Sequence, residues 1–156
     1  MVGDHFLTDS SRLSPGDAAA AIFVFDDGRY LLQLRDNKEG IFFPGHWGLF
    51  GGAIEEVETN ASALLRELKE ELGVSVTDFT HLMGFEFDLQ LMWRGKFMHS
   101  IFEVRLPLKI QGTLNLMEGE RMGTFSKQEV LQLHPVTPYD AFAIWCHTNR
   151  ERINSK

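Results

Sequence analysis

The first half of the chain carries two short apolar stretches separated by a turn. Ala20–Phe25 is apolar throughout, Arg29–Arg35 is largely apolar, and Asp27-Gly28 between them is a dipeptide typical of tight hairpins. We therefore predict a β-hairpin. Turn-forming residues recur in residues 36–46, which predicts a loop. A short strand is expected next, at Trp47–Phe50, because apolar residues return there.

The clearest helical periodicity lies in residues 60–72. Apolar side chains recur there at spacings of three and four, which places them on one stripe of an α-helix. They are Ala61, Leu64, Leu65, Leu68 and Leu72. Gly73 follows directly, and glycine is favoured after a helix because its backbone readily adopts a left-handed conformation. The pattern predicts an amphipathic helix over residues 60–72.

Strand-like alternation returns in the second half of the chain. Apolar residues alternate there with polar ones, as in a strand with one buried face. The apolar members are Phe85, Phe87, Leu89 and Leu91. Arg94-Gly95 then predicts a turn into a second strand at Met98–Leu106.

Two helix start signals follow these strands. Ser126 and Glu129 have the spacing of a capping box, which predicts a short helix to about Leu133. Thr137–Asp140 carries proline at the first helical position and begins a last helix. Strands interleaved with helices, together with antiparallel hairpins, predict an α/β fold in which helices cover both faces of a mixed sheet.

The helix predicted at residues 60–72 carries three acidic residues that can bind a metal ion. Glu67, Glu70 and Glu71 stand at i, i+3 and i+4, so they project from one side of the helix, the outer or cleft side. Like charges at this spacing destabilise a helix unless they are compensated. Clustered carboxylates bind hard divalent cations. The alternative is a solvated acidic face that Arg66 and Lys69 balance.

Glycine, arginine and glutamate around this helix follow a fixed spacing. Read from Gly52, the sequence fits G-x5-E-x7-R-E-U-x-E-E-x-G-U, where U is aliphatic. The matching residues are Gly52, Glu58, Arg66, Glu67, Leu68, Glu70, Glu71, Gly73 and Val74. Seven fixed letters would coincide by chance on the order of once in a million chains of this length. The chain therefore resembles the Nudix hydrolase family, and the order of its elements resembles the Nudix fold, an α/β/α sandwich.

The resemblance implies a divalent metal site. Family glutamates of this motif bind Mg2+, with Mn2+ as an alternative, and they correspond to Glu67, Glu70 and Glu71. The carbonyl of the glycine before the motif, here Gly51, is implied as a further ligand. We expect Glu71 to be a surface charge, so that its replacement by glutamine would remove activity and leave the fold intact.

Other motif residues are implied to hold the geometry of the site. Arg66 would orient the carboxylates by ion pairing, since its guanidinium offers a fixed two-pronged fork. Glu58 and Gly52 would maintain the shape of the loop before the helix. The chain departs from the common family pattern at Phe50, where proline is frequent, and at Val57, where glycine is frequent. Neither position is an implied ligand.

The implied reaction is attack of water on phosphorus in a nucleoside diphosphate linked to another group. Family members often recruit a further acid from a later loop, as a ligand or a general base. Glu118 and Glu120 are the candidates here, and two solvated loop acids are the alternative. We predict Glu120, because it lies closer to Phe125 and to the helix that begins after Ser126.

Three residues are candidates for substrate binding. Arg35 lies before the loop that leads to the motif and could contact a phosphate, although a surface salt bridge is the alternative. Phe43 and Trp47 could stack on a base, but aromatic residues beside a strand more often belong to the core. The six histidines show no metal-ligand spacing and receive no role.

Composition restricts the classes of partner. The chain has 156 residues, of which 44% are hydrophobic, which suits one domain over 1–156 that begins with an irregular segment at 1–16. The net charge of −7 disfavours long nucleic acid, because phosphate backbones bind basic surfaces. No apolar run is long enough to cross a membrane. The single cysteine, Cys146, indicates a reducing compartment, so we expect a cytoplasmic protein and leave a homodimer open.

Several activities remain in competition. A catalytically silent Nudix-fold sensor is disfavoured, because such domains lose motif glutamates and this chain retains them all. Decapping of RNA is disfavoured by the lack of a basic path, and isopentenyl diphosphate isomerisation by the position of Cys146 near the C-terminus. We predict a small nucleotide as the substrate, either a nucleoside triphosphate or a nucleotide sugar.

Overall fold

The computed structural model describes residues 16–88, 90 and 95–155. Its strands are β1 (Ala18–Phe25), β2 (Tyr30–Leu34), β3 (Trp47–Gly48), β4 (Phe50–Ala53), β5 (Phe79–Asp88), β6 (Lys96–Leu106) and β7 (Arg121–Phe125). Its helices are α1 (Asn60–Leu72), α2 (Lys127–Gln132), α3 (Pro138–Thr148) and α4 (Arg150–Asn154), with a 3-10 helix at Leu108–Thr113. None of the helices in these ranges combines the length and the apolar character needed to cross a membrane.

Strand β1 lies at the centre of one mixed sheet. It pairs in parallel with β6 and antiparallel with β2 and β4. Because successive side chains of a strand point to opposite faces, Ala21 and Phe23 pack into one apolar cluster whereas Ile22 packs into a second. Both faces are buried, which is why this strand is apolar throughout instead of alternating.

Helix α1 covers the first face of the sheet. Its apolar stripe packs in the same cluster as Phe23 and Phe50. The helix begins with reciprocal capping, in which Thr59 Oγ1 accepts from the Ser62 N–H and Ser62 Oγ accepts from the Thr59 N–H. It ends at Gly73, whose φ of 65° is left-handed. The predicted boundaries of this helix are confirmed.

Helices α2 and α3 cover the second face. Val130 of α2 and Ala143 and Ile144 of α3 pack with Ile22 and Leu32 of the central strands. The predicted start signals before α2 and α3 are both confirmed as helix boundaries. With helices on each side of a mixed sheet, the predicted α/β/α architecture is confirmed.

The structure corrects the predicted strands in three places. Gly51 and Gly52 were expected to end a strand but lie inside β4, where they pair with Ala20 and Ala19. Strand β5 begins at Phe79, six residues before the alternating pattern. Strand β7 was not predicted, since its five residues carry neither alternation nor a continuous apolar run. Three predictions fall wholly or mainly outside the described residues. They are the end of the alternating pattern at Leu89 and Leu91, the turn at Arg94, and the irregular segment at 1–16.

Candidate active site

Glu71 lies in the last turn of α1 and is buried against the sheet, with 6% of its surface exposed. Gln33 Nε2 donates to its Oε1 over 3.0 Å, and the Gly51 N–H donates to its Oε2 over 2.8 Å. Burial raises the pKa of the Glu71 carboxyl to about 7, although these two donors act in the opposite direction. The expectation that Glu71 is a surface charge is therefore wrong.

Glu67 lies one helical turn earlier, against the second glycine of the motif. A Cβ placed on Gly52 would lie 2.5 Å from Glu67 Oε1, so any side chain there would displace the carboxylate. Burial also raises the pKa of Glu67, while the neighbouring Arg66 lowers it. Gly51 is restricted for a different reason, because its φ is 137° and a Cβ would meet the Ala19 carbonyl at 2.1 Å. Glycine is therefore required at both positions, because the neighbouring atoms lie too close for any side chain.

Arg66 joins the loop before α1 to the acidic side of the helix. Its Nε and Nη2 contact the two oxygens of Glu58 over 2.7 and 3.0 Å, a two-pronged ion pair. Its Nη1 contacts Glu67 over 2.8 Å and Glu70 over 3.1 Å. Arg66 lowers the pKa of Glu58 to about 2. Arg66 therefore contacts both Glu58 of the loop and two carboxylates of α1.

The acidic side chains of α1 are the candidate ligands for a divalent cation. Within the described ranges, no three acidic, histidine or cysteine side chains converge closely enough to enclose an ion as they stand. Glu67 and Glu70 are instead turned into ion pairs with Arg66. The donor chemistry fits nonetheless, because burial raises the pKa of both Glu67 and Glu71, and the charge of Glu67 raises the pKa of Glu71 further. A hard cation would compensate this repulsion.

The structure gives the two candidate loop acids, Glu118 and Glu120, different surroundings. Glu118 lines a small cavity of about 80 Å³ together with Glu71 and Gln33, and its charge raises the pKa of both Glu67 and Glu71. Both acids are exposed, and Glu120 is not among the residues that line this cavity. The role predicted for Glu120 stays a prediction.

A larger cavity of about 330 Å³ opens beside the same strand β4. Small residues of β1 and β4 line one part of it, and ring-bearing side chains come from the loop after β2, from β5 and β6, and from the start of α3. The ring-bearing residues are Phe42, Phe43, Phe87, Phe97, His99 and Tyr139. The Tyr139 ring centroid lies 4.8 Å from that of His99 and 5.7 Å from that of Phe43. Flat apolar walls of this kind suit a planar ring system.

Asp140 provides a buried carboxylate in the wall of the large cavity. Its Oδ2 accepts from the Leu49 N–H over 3.0 Å and from the Thr137 hydroxyl. Burial raises the pKa of Asp140, while these hydrogen bonds and Arg35 lower it. The sequence placed this residue only at the start of a helix, and it missed Gln33 and His99 as well. A lone glutamine inside the apolar strand Tyr30–Leu34 was the available signal for Gln33.

The three predicted substrate residues have different positions. Arg35 lines both cavities, and its Nε donates to the Phe42 carbonyl over 2.9 Å. Phe43 lines the large cavity, with a left-handed φ of 49°. Trp47 lines neither cavity: it is buried in the second apolar cluster, with its ring 5.0 Å from that of Phe125. The structure thus gives Trp47 a core position, the alternative noted for it.

The family assignment follows from a match over most of the chain. Residues 15–143 match the NUDIX domain. This range contains the strands β1 to β7, the acidic helix α1 and the first half of α3. The chain belongs to the NUDIX family, which confirms the resemblance drawn from its motif.

Individual proteins extend this assignment. Over 120 residues the chain is 30% identical to the CTP pyrophosphohydrolase of Escherichia coli (strain K12), a match that covers 77% of this chain and 82% of that protein. Over 64 residues it is 42% identical to the nucleoside triphosphatase NudI of Klebsiella pneumoniae (strain 342), covering 41% of this chain and 44% of NudI. The solution structure of the E. coli ORF135 protein superposes with a TM-score of 0.68 at 26% identity, over 90% of this chain and 94% of that one.

Proposed function

We propose that this protein is a divalent-metal-dependent pyrophosphohydrolase whose substrates are nucleoside triphosphates. The observation that carries the proposal is the adjacency of two sites along β4: the carboxylates of α1 on one side and an aromatic cavity on the other. Gly51 and Gly52 line that cavity and also contact Glu71 and Glu67. One molecule with a planar base and a polyphosphate could therefore span both sites.

Glu67, Glu70, Glu71 and the Gly51 carbonyl are the residues that would hold the metal, Mg2+ or alternatively Mn2+. When bound, such an ion neutralises charge on the polyphosphate and lowers the pKa of water. Arg66 keeps two of these carboxylates fixed through its ion pairs. Glu118, which lines the small cavity together with Glu71, would accept a proton from the attacking water.

Arg35 lies between the proposed site for the base and the proposed site for the phosphates. Its side chain lines both cavities, and Lys38 joins it in the wall of the small one. These two cations would attract phosphate oxygens in a protein whose net charge is −7. The names of the CTP pyrophosphohydrolase and of NudI favour a triphosphate over a nucleotide sugar.

A hydrolysis screen tests this proposal. The panel contains the nucleoside triphosphates, nucleotide sugars, ADP-ribose, dinucleoside polyphosphates and capped RNA, each assayed with Mg2+ and with excess EDTA. We expect at least one triphosphate to be cleaved with a kcat/KM of about 10⁴ M⁻¹s⁻¹ or above. Glu67→Gln should lower kcat about 100-fold or more, because it removes a charged ligand and preserves the shape of the side chain.

Glu151→Gln is the matched control, since Glu151 is exposed in α4, and it should retain wild-type kcat. Full activity in EDTA would contradict the metal requirement. Faster cleavage of capped RNA than of every small nucleotide would contradict the substrate class. A nucleotide sugar as the best substrate would contradict the triphosphate assignment alone.

A further inference from the structure

Gln33 is a buried polar residue in the middle of an apolar strand. It lies in β2 between two neighbours, paired with Gly48 of β3 and Met122 of β7, and only 3% of it is exposed. Its Nε2 donates to Glu71 Oε1 over 3.0 Å and to the Leu49 carbonyl over 3.1 Å. Both protons of the amide are thus directed to fixed acceptors.

The other end of the same amide faces the loop that carries Glu118. A Cβ on Gly119 would lie 2.8 Å from Gln33 Oε1, and the φ of Gly119 is 90°. The loop is fixed on either side of this contact. The Met117 N–H donates to the Glu71 carbonyl over 2.8 Å, and the Glu120 N–H donates to the Leu34 carbonyl over 2.9 Å.

A buried glutamine at this position lowers stability unless its amide forms hydrogen bonds, because packing contacts alone do not offset the loss of hydration. Burying an amide without partners is unfavourable, and an apolar side chain of similar length would fit an apolar strand. Here one N–H of the amide donates to the Glu71 carboxylate, and the amide oxygen lies against Gly119 in the loop that carries Glu118. Residues that orient metal ligands by hydrogen bonding commonly change metal affinity or activity 10- to 100-fold when they are replaced.

We propose that Gln33 is the positioning residue of this site. Its amide sets the rotation of the Glu71 carboxylate and, through Gly119, holds Glu118 over that carboxylate. This inference rests on the proposed function, because it assigns Glu71 and Glu118 to the metal and to the attacking water. Gln33 itself touches neither substrate nor metal and acts through Glu71.

The test compares Gln33→Met, which keeps the length of the side chain and removes the amide, with Gln132→Met on the exposed face of α2. Three quantities are measured: kcat and KM for the best triphosphate, Mn2+ affinity by calorimetry in the absence of substrate, and the thermal midpoint. For Gln33→Met we expect kcat and Mn2+ affinity to fall at least tenfold, while KM changes less than threefold. Gln132→Met should leave all of these at wild-type values.

A purely structural role predicts a different result, namely a lower thermal midpoint with wild-type kcat and Mn2+ affinity in the folded protein. That result would overturn the inference. If Gln33→Met does not fold, Gly119→Ala probes the same contact from the loop side. It should lower the thermal midpoint, because a Cβ strains a backbone with a φ of 90°. It should also lower kcat measured well below that midpoint, and wild-type kcat there would overturn the inference.

The calorimetric measurement separates this inference from the proposed function. If the wild-type protein cleaves no nucleotide, the proposed function fails, but Mn2+ affinity still tests whether Gln33 positions Glu71. If the wild-type protein is active and Gln33→Met matches it in both kcat and Mn2+ affinity, the inference about Gln33 alone fails.

Discussion

At the scale of single residues, the structure holds the buried carboxylate of Glu71 and the partly buried carboxylate of Glu67 in different ways. Glu71 is held by N–H donors from two strands, whereas Glu67 is held by Arg66 and by the absence of a side chain at Gly52. Both are desolvated, which raises the pKa of each. The metal-free protein therefore carries an unfavourable charge at Glu71 near neutral pH, and this charge is available to a cation.

The raised pKa of Glu71 predicts how stability depends on pH without metal. Its value is about 7 in the folded protein against 4.5 as the ordinary value. Between these values the folded state binds more protons than the unfolded state, so the free energy of unfolding falls as pH rises. The full loss, reached above pH 7, is at most about 3 kcal/mol from this group, at 1.36 kcal/mol per pKa unit.

Urea unfolding in EDTA at about pH 5 and about pH 8 measures this effect. The wild-type protein should lose more stability between these values than Glu71→Gln, in which the titrating group is absent. Glu151→Gln should keep the wild-type difference, because its carboxyl is exposed. Equal pH dependence in wild type and Glu71→Gln would contradict the assignment of the shift to Glu71.

At the scale of elements, α1 presents the acidic site and also anchors one apolar cluster. Leu64, Leu68 and Leu72 are almost completely buried, while Glu70 on the opposite side is 54% exposed. The loop before the helix is fixed by two independent sets of contacts: the capping box at Thr59 and the ion pair between Arg66 and Glu58. Stability and site geometry can therefore be perturbed separately.

Thr59→Ala tests this separation. The variant removes the oxygen that accepts the Ser62 N–H, and loss of an N-cap costs about 1 kcal/mol. We expect that decrease in the free energy of unfolding by urea, with kcat within about twofold of wild type, because the contacts of Arg66 remain. Thr77→Ala, at an exposed position between α1 and β5, is the control and should be neutral. A large loss of kcat would show that the cap also sets the site.

Local signals decided which elements were predictable. Helix α1 combines periodicity, a motif and a terminal glycine, so both its boundaries and its acidic side follow from adjacent residues. Strand β7 has no such signal, since its position depends on pairing with β2. The positions of Glu118 and Glu120 likewise depend on the fold. Glu118 lines the same small cavity as Glu71, Gln33 and Gly119, and these residues come from three separate segments of the chain.

At the scale of the whole molecule, the fold brings together residues that the sequence keeps far apart. The large cavity combines Phe43 from an early loop, Phe87 and Phe97 from β5 and β6, and Tyr139 from α3. No sequence motif connects these positions. Within its own segment, each aromatic residue has the pattern of a residue that packs in the core. The acidic motif was therefore visible in the sequence, whereas the cavity beside it depends on the topology of the sheet.

The last prediction separates binding of the base from cleavage of the phosphates. Phe97 lines the aromatic cavity and has no place among the carboxylates. Stacking of one base on an aromatic ring contributes roughly 1–3 kcal/mol, so Phe97→Ala should raise KM for the best triphosphate about tenfold. Inorganic tripolyphosphate carries the same anhydride without a base, so its kcat/KM should not change.

Phe142→Ala is the control for loss of an aromatic side chain, because Phe142 is exposed in α3 and does not line the cavity. It should leave both substrates at wild-type values. If Phe97→Ala reduced cleavage of the nucleotide and of tripolyphosphate equally, Phe97 would support the architecture of the site and the cavity would lose its assignment to the base. If Phe97→Ala impaired cleavage of the nucleotide alone, the base would be assigned to the cavity wall formed by β5 and β6. The phosphates would then extend towards the carboxylates of α1.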